Sequence, residues 1–245
     1  MTLSARRLVA AAATTTLAAV LTALPQLPSV AAAQTATLDG APAVGACYDV
    51  SRRTAYEADM LEVATVPCTE KHTLWVAGVV ELPADVPLDS QDAAYGRAVN
   101  TACLAATKKA LGDAGLKYAR SAYGTFTFHA TDAQQAVGAH WASCTVGTHG
   151  SAKTLQRTTK RKPAQVTARL PRRLQLCGTA RYERVSCSKP HTYRAVYATW
   201  VKGEISSTAG QRAADRICPK HVSSRTWMWS ARPDTGRFSL TCLTR

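Results

Sequence analysis

The sequence lacks the residue patterns that mark common enzyme active sites. It contains no Gly-x-Ser-x-Gly element, no glycine-rich loop of the kind that holds phosphates and no defensible pair of catalytic carboxylates. Its histidines stand at no recognisable triad spacing from a serine and a carboxylate. We therefore expect a binding protein without catalytic residues and without a cofactor. An exported hydrolase with an unfamiliar site is one alternative.

Long apolar runs are absent after residue 33, so no later segment reaches the roughly 20 residues that a membrane span requires. Residues 1–33 have the features of a secretory signal peptide: Arg6 and Arg7 precede a mostly apolar run, and three alanines at 31–33 form a small-residue cleavage site. We predict cleavage after Ala33 rather than retention as an uncleaved anchor. No cysteine lies near the cut, which argues against a lipid anchor. The mature chain is then expected to be secreted or held in the extracellular cell envelope.

Acidic residues are scarce beyond residue 150. Residues 34–150 carry 8 basic and 12 acidic residues, a net charge of −4, whereas residues 151–173 carry 8 basic residues and no acidic one. Residues 174–245 carry 12 basic and 4 acidic residues, a net charge of +8. This asymmetry predicts an anionic partner, which outside a cell means an anionic cell-wall polymer, an anionic lipid surface or an acidic envelope protein. The predicted polyanion-binding residues are Lys160, Arg161, Lys162, Arg172 and Arg173.

One motif occurs twice. Val-x-Cys-x-x-x-His-Thr stands at residues 66–73 and again at 185–192, and each copy runs into a strand-like segment. We predict an α+β fold of two small disulfide-stabilised lobes that arose by internal duplication, each a short antiparallel sheet with one packed helix. The first lobe would span residues 34–150 and the second residues 174–245, with residues 151–173 as a flexible basic linker.

The eight cysteines form an even set, which in an oxidising compartment is a disulfide framework. Each lobe has four, which still allow three pairings. Cys177 and Cys187 are ten residues apart and are expected to join neighbouring strands, and the repeat then pairs Cys47 with Cys68. The remaining predicted pairs are Cys103–Cys144 and Cys218–Cys242.

Alternation and capping patterns place the elements of both lobes. In the first lobe we predict strands at 45–50, 62–66, 73–82, 123–128 and 139–146, a polar turn at 52–59, and a helix at 91–111 with Cys103 on its small-residue stripe. In the second lobe we predict strands at 174–177, 184–187, 193–201, 226–230 and 237–242, and a helix at 208–217.

The Cys-x-x-x-His pairs contain residue types that ligate zinc or copper. A metal site would need a further ligand in each lobe and free thiolates, whereas these cysteines are expected to be oxidised. We therefore predict no metal site. We interpret His72 and His191 as residues whose imidazoles hydrogen-bond the turn after the half-cystine.

Two tryptophans near the end of the sequence admit two interpretations. Trp227 and Trp229 alternate along a predicted strand, so they share one of its faces. They either pack in the core or form a stacking platform for a sugar or base beside Arg225 and Arg232.

The cysteine pattern also carries a family resemblance. It comprises Gly-x-Cys-Tyr-Asp at 45–49, Val-Pro-Cys-x-x-x-His at 66–72, a cysteine in the helix and Trp-x-x-Cys at 141–144, with Cys177, the motif at 185–191, Cys218 and Cys242 in the second lobe. These residues resemble the septum formation domain of actinobacteria, in two tandem copies. The resemblance implies an exported or membrane-tethered module with a place in division or envelope biogenesis, and it brings no catalytic residues. We expect a non-enzymatic envelope protein that binds cell-wall polymers or an envelope partner, with a secreted effector or inhibitor of another protein as a further alternative.

Overall fold

The computed structural model describes residues 37–112, 115–167 and 169–245. The expected signal peptide at 1–33 lies outside these residues. Within them, no helix is both long enough and apolar enough to cross a membrane. The fold is α+β, as predicted, with two antiparallel sheets and few helices.

The first sheet contains four strands: β1 (Cys47–Tyr48), β2 (Leu74–Glu81), β3 (Tyr123–His129) and β4 (Trp141–Thr148). Their order across the sheet is β1-β2-β4-β3, and all neighbours are antiparallel. The helices of this lobe are α1 (Arg52–Glu57), α2 (Ala93–Leu111), α3 (Leu116–Ala119) and α4 (Asp132–Ala136).

Helix α2 packs on this sheet as predicted. Asp92 caps its first turn by accepting hydrogen bonds from the backbone N–H groups of Ala94 and Tyr95. Gly112 ends the helix in the left-handed conformation, with a φ of 78° that favours glycine. The buried residues recur every four positions from Tyr95 to Leu111 and include Cys103. This half-cystine joins the buried face of the helix to β4.

The second sheet contains five strands: β5 (Leu176–Gly178), β6 (Arg184–Ser186), β7 (Tyr193–Lys202), β8 (Trp227–Asp234) and β9 (Arg237–Thr244). Their order is β6-β5-β7-β9-β8. Helix α5 (Ser207–Ile217) begins after Ser206, whose side chain accepts a hydrogen bond from the N–H of Ala209. Two 3-10 turns flank these elements, at Arg172–Leu174 and Cys218–Lys220.

The two sheets share a strand order and an irregularity. The order β1-β2-β4-β3 in the first matches β5-β7-β9-β8 in the second. The register of β2 shifts between Val76 and Gly78, and that of β7 shifts between Ala195 and Tyr197. Each shift lies directly before the residue that pairs with a half-cystine of the neighbouring strand. An internal duplication would produce this correspondence, and the common origin of the lobes stays a prediction.

All eight cysteines are paired, and no thiol is free. In each lobe, one disulfide joins neighbouring segments at the start of the lobe. A second disulfide joins a helix or 3-10 turn to the sheet beneath it. The pairs match those expected from the repeat: Cys47–Cys68, Cys103–Cys144, Cys177–Cys187 and Cys218–Cys242.

Two local predictions in the first lobe differ from the structure. Part of the predicted polar turn forms α1, because Ser51 caps it by accepting a hydrogen bond from the N–H of Thr54. The predicted strand at 62–66 reduces to one bridge between Val66 and Cys47. Val63 is 44% exposed, so the alternation in this segment does not reflect a buried face.

Residues 151–173 lie against the first lobe instead of forming a free tether. Thr158 exchanges two backbone hydrogen bonds with His72, with N···O distances of 2.9 and 3.0 Å. Leu155 and Val166 are buried, and the N–H of Val166 donates to the carbonyl of Leu111 at 2.8 Å. Backbone hydrogen bonds and two buried apolar side chains thus dock this basic stretch on the first lobe.

The lobes also contact each other directly. The N–H of Ala122 donates to the carbonyl of Leu174 at 2.8 Å, and the N–H of Leu176 donates to the carbonyl of Arg120 at 3.0 Å. Thr241 donates its hydroxyl hydrogen to the carbonyl of Ala119 at 3.2 Å. These bonds place the start of the second sheet beside the segment between α3 and β3, so a junction between the lobes becomes part of the protein interior.

Candidate functional site

Five cavities in the described part of the chain share one property. Each is lined by at least one arginine or lysine, and none is lined by an aspartate or glutamate. Clustered cations without carboxylates create a positive potential that attracts anions. The candidate functional site is therefore a set of anion-facing cavities around the docked linker and the lobe junction.

The linker cavity lies between residues 156–164 and strands β2 and β4, with a volume of about 150 Å³. Lys160, Lys162 and Arg173 line it, so three of the five predicted polyanion-binding residues converge there. The indole N–H of Trp75, which also lines this cavity, is buried without a hydrogen-bond partner. This indole N–H can therefore donate a hydrogen bond to a ligand in the cavity.

The other two predicted cations behave differently. Arg161 is exposed and lines none of the five cavities. Arg172 donates from Nη2 to the carbonyl of Cys187 at 3.3 Å, so it holds the 3-10 turn against the second lobe. Arg172 therefore has a structural contact in addition to its charge.

Most linker cations lack an acidic partner. Of the 8 basic residues in 151–173, only Arg157 forms an ion pair with a described residue, to Asp49 at 2.8 Å. The Arg157 side chain is largely exposed, and a pair of this kind contributes at most about 1 kcal/mol to stability. The other linker cations form no ion pair with a described residue, and the docked backbone holds them near the surface.

Two more open grooves continue the cationic region. The outer groove, of about 630 Å³, is lined by Arg52, Lys153, Arg157 and Lys189 among its charged residues. The side groove, of about 370 Å³, is lined by Lys117, Arg120, Arg169 and Arg194. The linker contributes to both, so its docking extends a positive surface along the protein.

The junction cavity, of about 290 Å³, lies between the lobes and is lined by His149 from the first and by Arg184 and Arg232 from the second. Arg232 is 7% exposed, and its Nη2 donates to the carbonyl of Ser121 at 2.8 Å. Its guanidinium stacks over the Tyr118 ring at 4.1 Å. The Nε of Arg232 is buried without a hydrogen-bond partner among the described residues.

His149 is 1% exposed, and its ring is oriented by α1. Its Nδ1 lies 3.3 Å from Nη1 of Arg52 and 3.4 Å from the hydroxyl of Tyr56. Because a guanidinium only donates, Nδ1 accepts and Nε2 carries the ring hydrogen. Nε2 is buried without a partner. Burial and the positive charges of Arg184, Arg232 and Arg52 lower the pKa of His149 well below its ordinary value, so the ring is neutral at pH 7.

Arg184 completes this cluster. Its side chain makes no hydrogen bond or ion pair with any residue the structure describes, and it also lines a second cavity of about 350 Å³ beside Trp229. Burial, followed by the neighbouring charge of Arg232, lowers the pKa of Arg184. The guanidinium groups of Arg184 and Arg232 thus repel each other, and no described carboxylate lines the cavity to balance their charge.

The repeated histidines make the contact that was predicted for them. Nδ1 of His72 lies 2.9 Å from the carbonyl of Glu70, and Nδ1 of His191 lies 2.7 Å from that of Lys189. Each carbonyl belongs to the turn two residues beyond the half-cystine. Among residues 37–112, 115–167 and 169–245, no group of three or more His, Cys, Asp or Glu side chains could hold a metal ion.

The paired tryptophans lie at the core of the second lobe. Trp227 and Trp229 are half-buried and pack against the cluster beneath α5. The indole N–H of Trp229 donates to the side chain of Gln211 at 2.9 Å, and Gly210 leaves room for the ring. This contact favours core packing over a stacking platform.

Sequence reasoning missed the junction cavity. His149 was found in no motif, and Arg184 stood only at the start of a predicted strand. These residues and Arg232 are far apart in the sequence and come together only because the lobes pack. The excess of basic over acidic residues beyond residue 150 is the one sequence signal that points to such a site.

In comparisons with known proteins, no family model, no curated protein and no solved structure matches this chain. The resemblance to septum formation proteins therefore stays a hypothesis.

Proposed function

We propose that the mature protein is a non-enzymatic binding protein of the extracellular cell envelope that holds an anionic wall polymer. The observation that carries this proposal is the cationic lining of the linker cavity and the two grooves, which contains no carboxylate. Four disulfides fit an extracellular protein. The cysteine pattern shared with septum formation proteins supports a location in the envelope.

Docking of the linker makes this surface suitable for a polymer. A free cationic tether would lose conformational entropy on binding, whereas residues held by the Thr158–His72 bridge and by buried Leu155 are already ordered. The hydroxyl of Tyr123 adds a further anchor by donating to the carbonyl of Ala164 at 2.9 Å. Lysine heads on such a frame act as point charges that tolerate irregular spacing along a polyanion.

The direct experiment measures binding of the mature protein to a long-chain polyphosphate, with neutral dextran as the blank. The test variant replaces three exposed, unpaired lysines that line the cavities: Lys153→Gln, Lys160→Gln and Lys162→Gln together. The matched control removes the same charge from exposed positions outside the cavities: Lys71→Gln, Arg97→Gln and Lys109→Gln together.

We expect the test variant to lose about tenfold or more in affinity at about 0.1 M salt, and its salt slope to fall by about 2 to 3. The control should lose less than about threefold. Equal losses would show that only net charge matters and would overturn the assignment of these cavities. Cleavage of the polymer by the wild-type protein would instead support the exported hydrolase.

A further inference from the structure

The junction cavity contains hydrogen-bond donors that no described residue satisfies. Nε2 of His149 and Nε of Arg232 are buried and unpartnered, and the guanidinium of Arg184 makes no hydrogen bond with a described residue. Buried donors in folded proteins are nearly always paired, so a buried donor without a partner indicates a bound ligand or needs another explanation. Here two such donors line the same cavity, and the half-buried guanidinium of Arg184 adds a third group without a described hydrogen-bond partner.

The cavity also has an excess of positive charge. Arg184 and Arg232 line it, and Arg52 reaches the back of the His149 ring. The other polar lining residues are neutral: Tyr56, Tyr118, Asn100, Thr125 and Thr127. Burying like charges without an opposite charge is unfavourable, and a bound anion removes that cost.

The nearest acidic residue on β8 does not supply this charge. Asp234 pairs with Lys108 at 3.0 Å and with Arg237 at 3.4 Å, and it does not line the cavity. These cations lower the pKa of Asp234. Its carboxylate is thus committed elsewhere, and none of the described carboxylates lines the cavity to balance its charge.

The donors also indicate the shape of the ligand. They arrive from three places in the fold: His149 just after β4, Arg184 on β6 and Arg232 on β8. Three directions suit an anion with three or four oxygens better than a planar carboxylate with two. Guanidinium groups are the side chains best matched to phosphate oxygens, because they donate in a planar fork.

We propose that the junction cavity binds a tetrahedral oxyanion, in the form of a phosphate group, through Arg184, Arg232 and the Nε2–H of His149. The phosphate is either inorganic phosphate or the monoester end group of a phosphate-bearing polymer. The site is separate from the grooves that bind the polymer along its length. Because the donors belong to both lobes, the ligand stabilises the junction.

Arg184→Gln is the test variant, since the side chain of Arg184 holds no described residue in place. Arg181→Gln is the matched control, because Arg181 is exposed, lies three positions away and lines none of the five cavities. Titration calorimetry and thermal unfolding of the whole mature protein are carried out with inorganic phosphate at constant ionic strength, with sodium acetate and chloride in parallel.

We expect phosphate to raise the melting temperature of the wild type and of Arg181→Gln. For Arg184→Gln the dissociation constant should rise about tenfold or more. Without phosphate, Arg184→Gln should unfold at the same or a higher temperature than the wild type, because one of two crowded guanidinium groups is gone. A purely structural role for Arg184 predicts the opposite, a lower melting temperature at every phosphate concentration.

A second arm separates the two sources of the phosphate group. Tighter binding of glycerol 1-phosphate than of inorganic phosphate identifies a polymer end group, and the reverse order identifies the free anion. The proposal is overturned if phosphate binds the wild type no better than acetate, or if wild type and Arg184→Gln bind phosphate equally.

Discussion

The linker surface, formed by the linker cavity with the outer and side grooves, and the junction cavity are both lined by cations, but these side chains differ in exposure. The linker surface presents exposed lysines that line the linker cavity and the outer groove. The junction cavity presents Arg232, which is buried and stacked on Tyr118, beside a buried neutral histidine. Exposed charges are screened by salt and adapt to many partners, whereas buried donors demand one shape. We therefore expect the linker surface to bind anions with little selectivity and the junction cavity to bind them selectively.

Salt should separate the two regions most strongly. Raising the salt from about 0.05 to 0.5 M should weaken polyphosphate binding by about 100-fold or more, if three or more contacts each release counterions. Phosphate binding at the junction should weaken by less than about tenfold, because buried charges are screened less.

Both affinities are measured on the same protein by titration calorimetry in sodium chloride. The Arg184→Gln variant serves as the control that removes junction binding alone. An equal loss of affinity at both sites would mean that the junction cavity is as open to solvent as the linker surface.

Acid should affect the junction and leave the linker surface unchanged. The unfolded chain takes up a proton on His149 near its ordinary pKa of 6.5, whereas the folded protein does so only at a lower pH because burial, Arg184, Arg232 and Arg52 depress the pKa. The free energy of unfolding should therefore fall as the pH falls below about 6.5. The slope of the unfolding free energy against pH is at most about 1.4 kcal/mol per pH unit. It ends where the pH reaches the lowered pKa of His149 in the folded protein.

This slope is measured by urea denaturation between pH 7.5 and 5.5 in a buffer without phosphate. His149→Gln should remove most of it, and His191→Gln, which changes an exposed histidine, should keep it. Added phosphate should reduce the slope in the wild type, because an anion stabilises the protonated ring. An unchanged slope in His149→Gln would assign the acid sensitivity to other groups.

The two histidines of the repeated motif offer a smaller contrast. His72 is buried and its backbone pairs with Thr158, whereas His191 is exposed and makes the same Nδ1 contact in water. His72→Ala should lower the free energy of unfolding by about 1–3 kcal/mol, since it removes a buried hydrogen bond and leaves a polar carbonyl unsatisfied. His191→Ala should cost about 0.5 kcal/mol or less.

Chemical denaturation of the two variants tests this contrast. Polyphosphate affinity is the second measurement, and it should stay within about twofold in His191→Ala, because His191 lines none of the five cavities. Similar losses of stability at the two positions would show that the motif itself, and not burial, sets the energetic role of the histidine.

The sequence predicted local features better than contacts between distant segments. The prediction of a helix at 91–111 rests on its small-residue stripe and on Gly112, which act within a few turns, and the structure begins this helix two residues later, at Ala93 after the Asp92 cap. The disulfide pairs follow from an even cysteine set and a repeat that fixes equivalent positions. Such signals depend on the order and spacing of residues in the sequence, so they can be recognised before the three-dimensional structure is known.

Docking of the linker and assembly of the junction could not be predicted in this way. Leu155 and Val166 are isolated apolar residues in a basic stretch, and their burial depends on surfaces that α2 and the first sheet supply. Arg184 and Arg232 stand in strands of the second lobe, and His149 follows the last strand of the first. Their relation is set by the packing of the lobes, which no local pattern encodes.

The smallest predicted effect tests whether unpaired charge at defined positions controls polymer binding. Asp49 is the carboxylate that pairs with Arg157, and Arg157 lines both the linker cavity and the outer groove. Asp49→Asn should free this guanidinium for the polymer and raise polyphosphate affinity by about two- to threefold. Stability should change by less than about 1 kcal/mol, because the Arg157 side chain is largely exposed.

Glu57→Gln is the matched control for this substitution. It removes the same charge from another exposed pair, with Arg53 on α1, and neither residue lines a cavity described above. A gain in affinity for Asp49→Asn alone would show that Arg157 acts through its position in the grooves. The same gain in both variants would show that the linker surface responds only to net charge. The linker surface and the junction cavity would then differ fully in selectivity, because only the cavity would depend on the position of its donors. Phosphate affinity at the junction should stay constant in both variants, because neither Asp49 nor Glu57 lines that cavity.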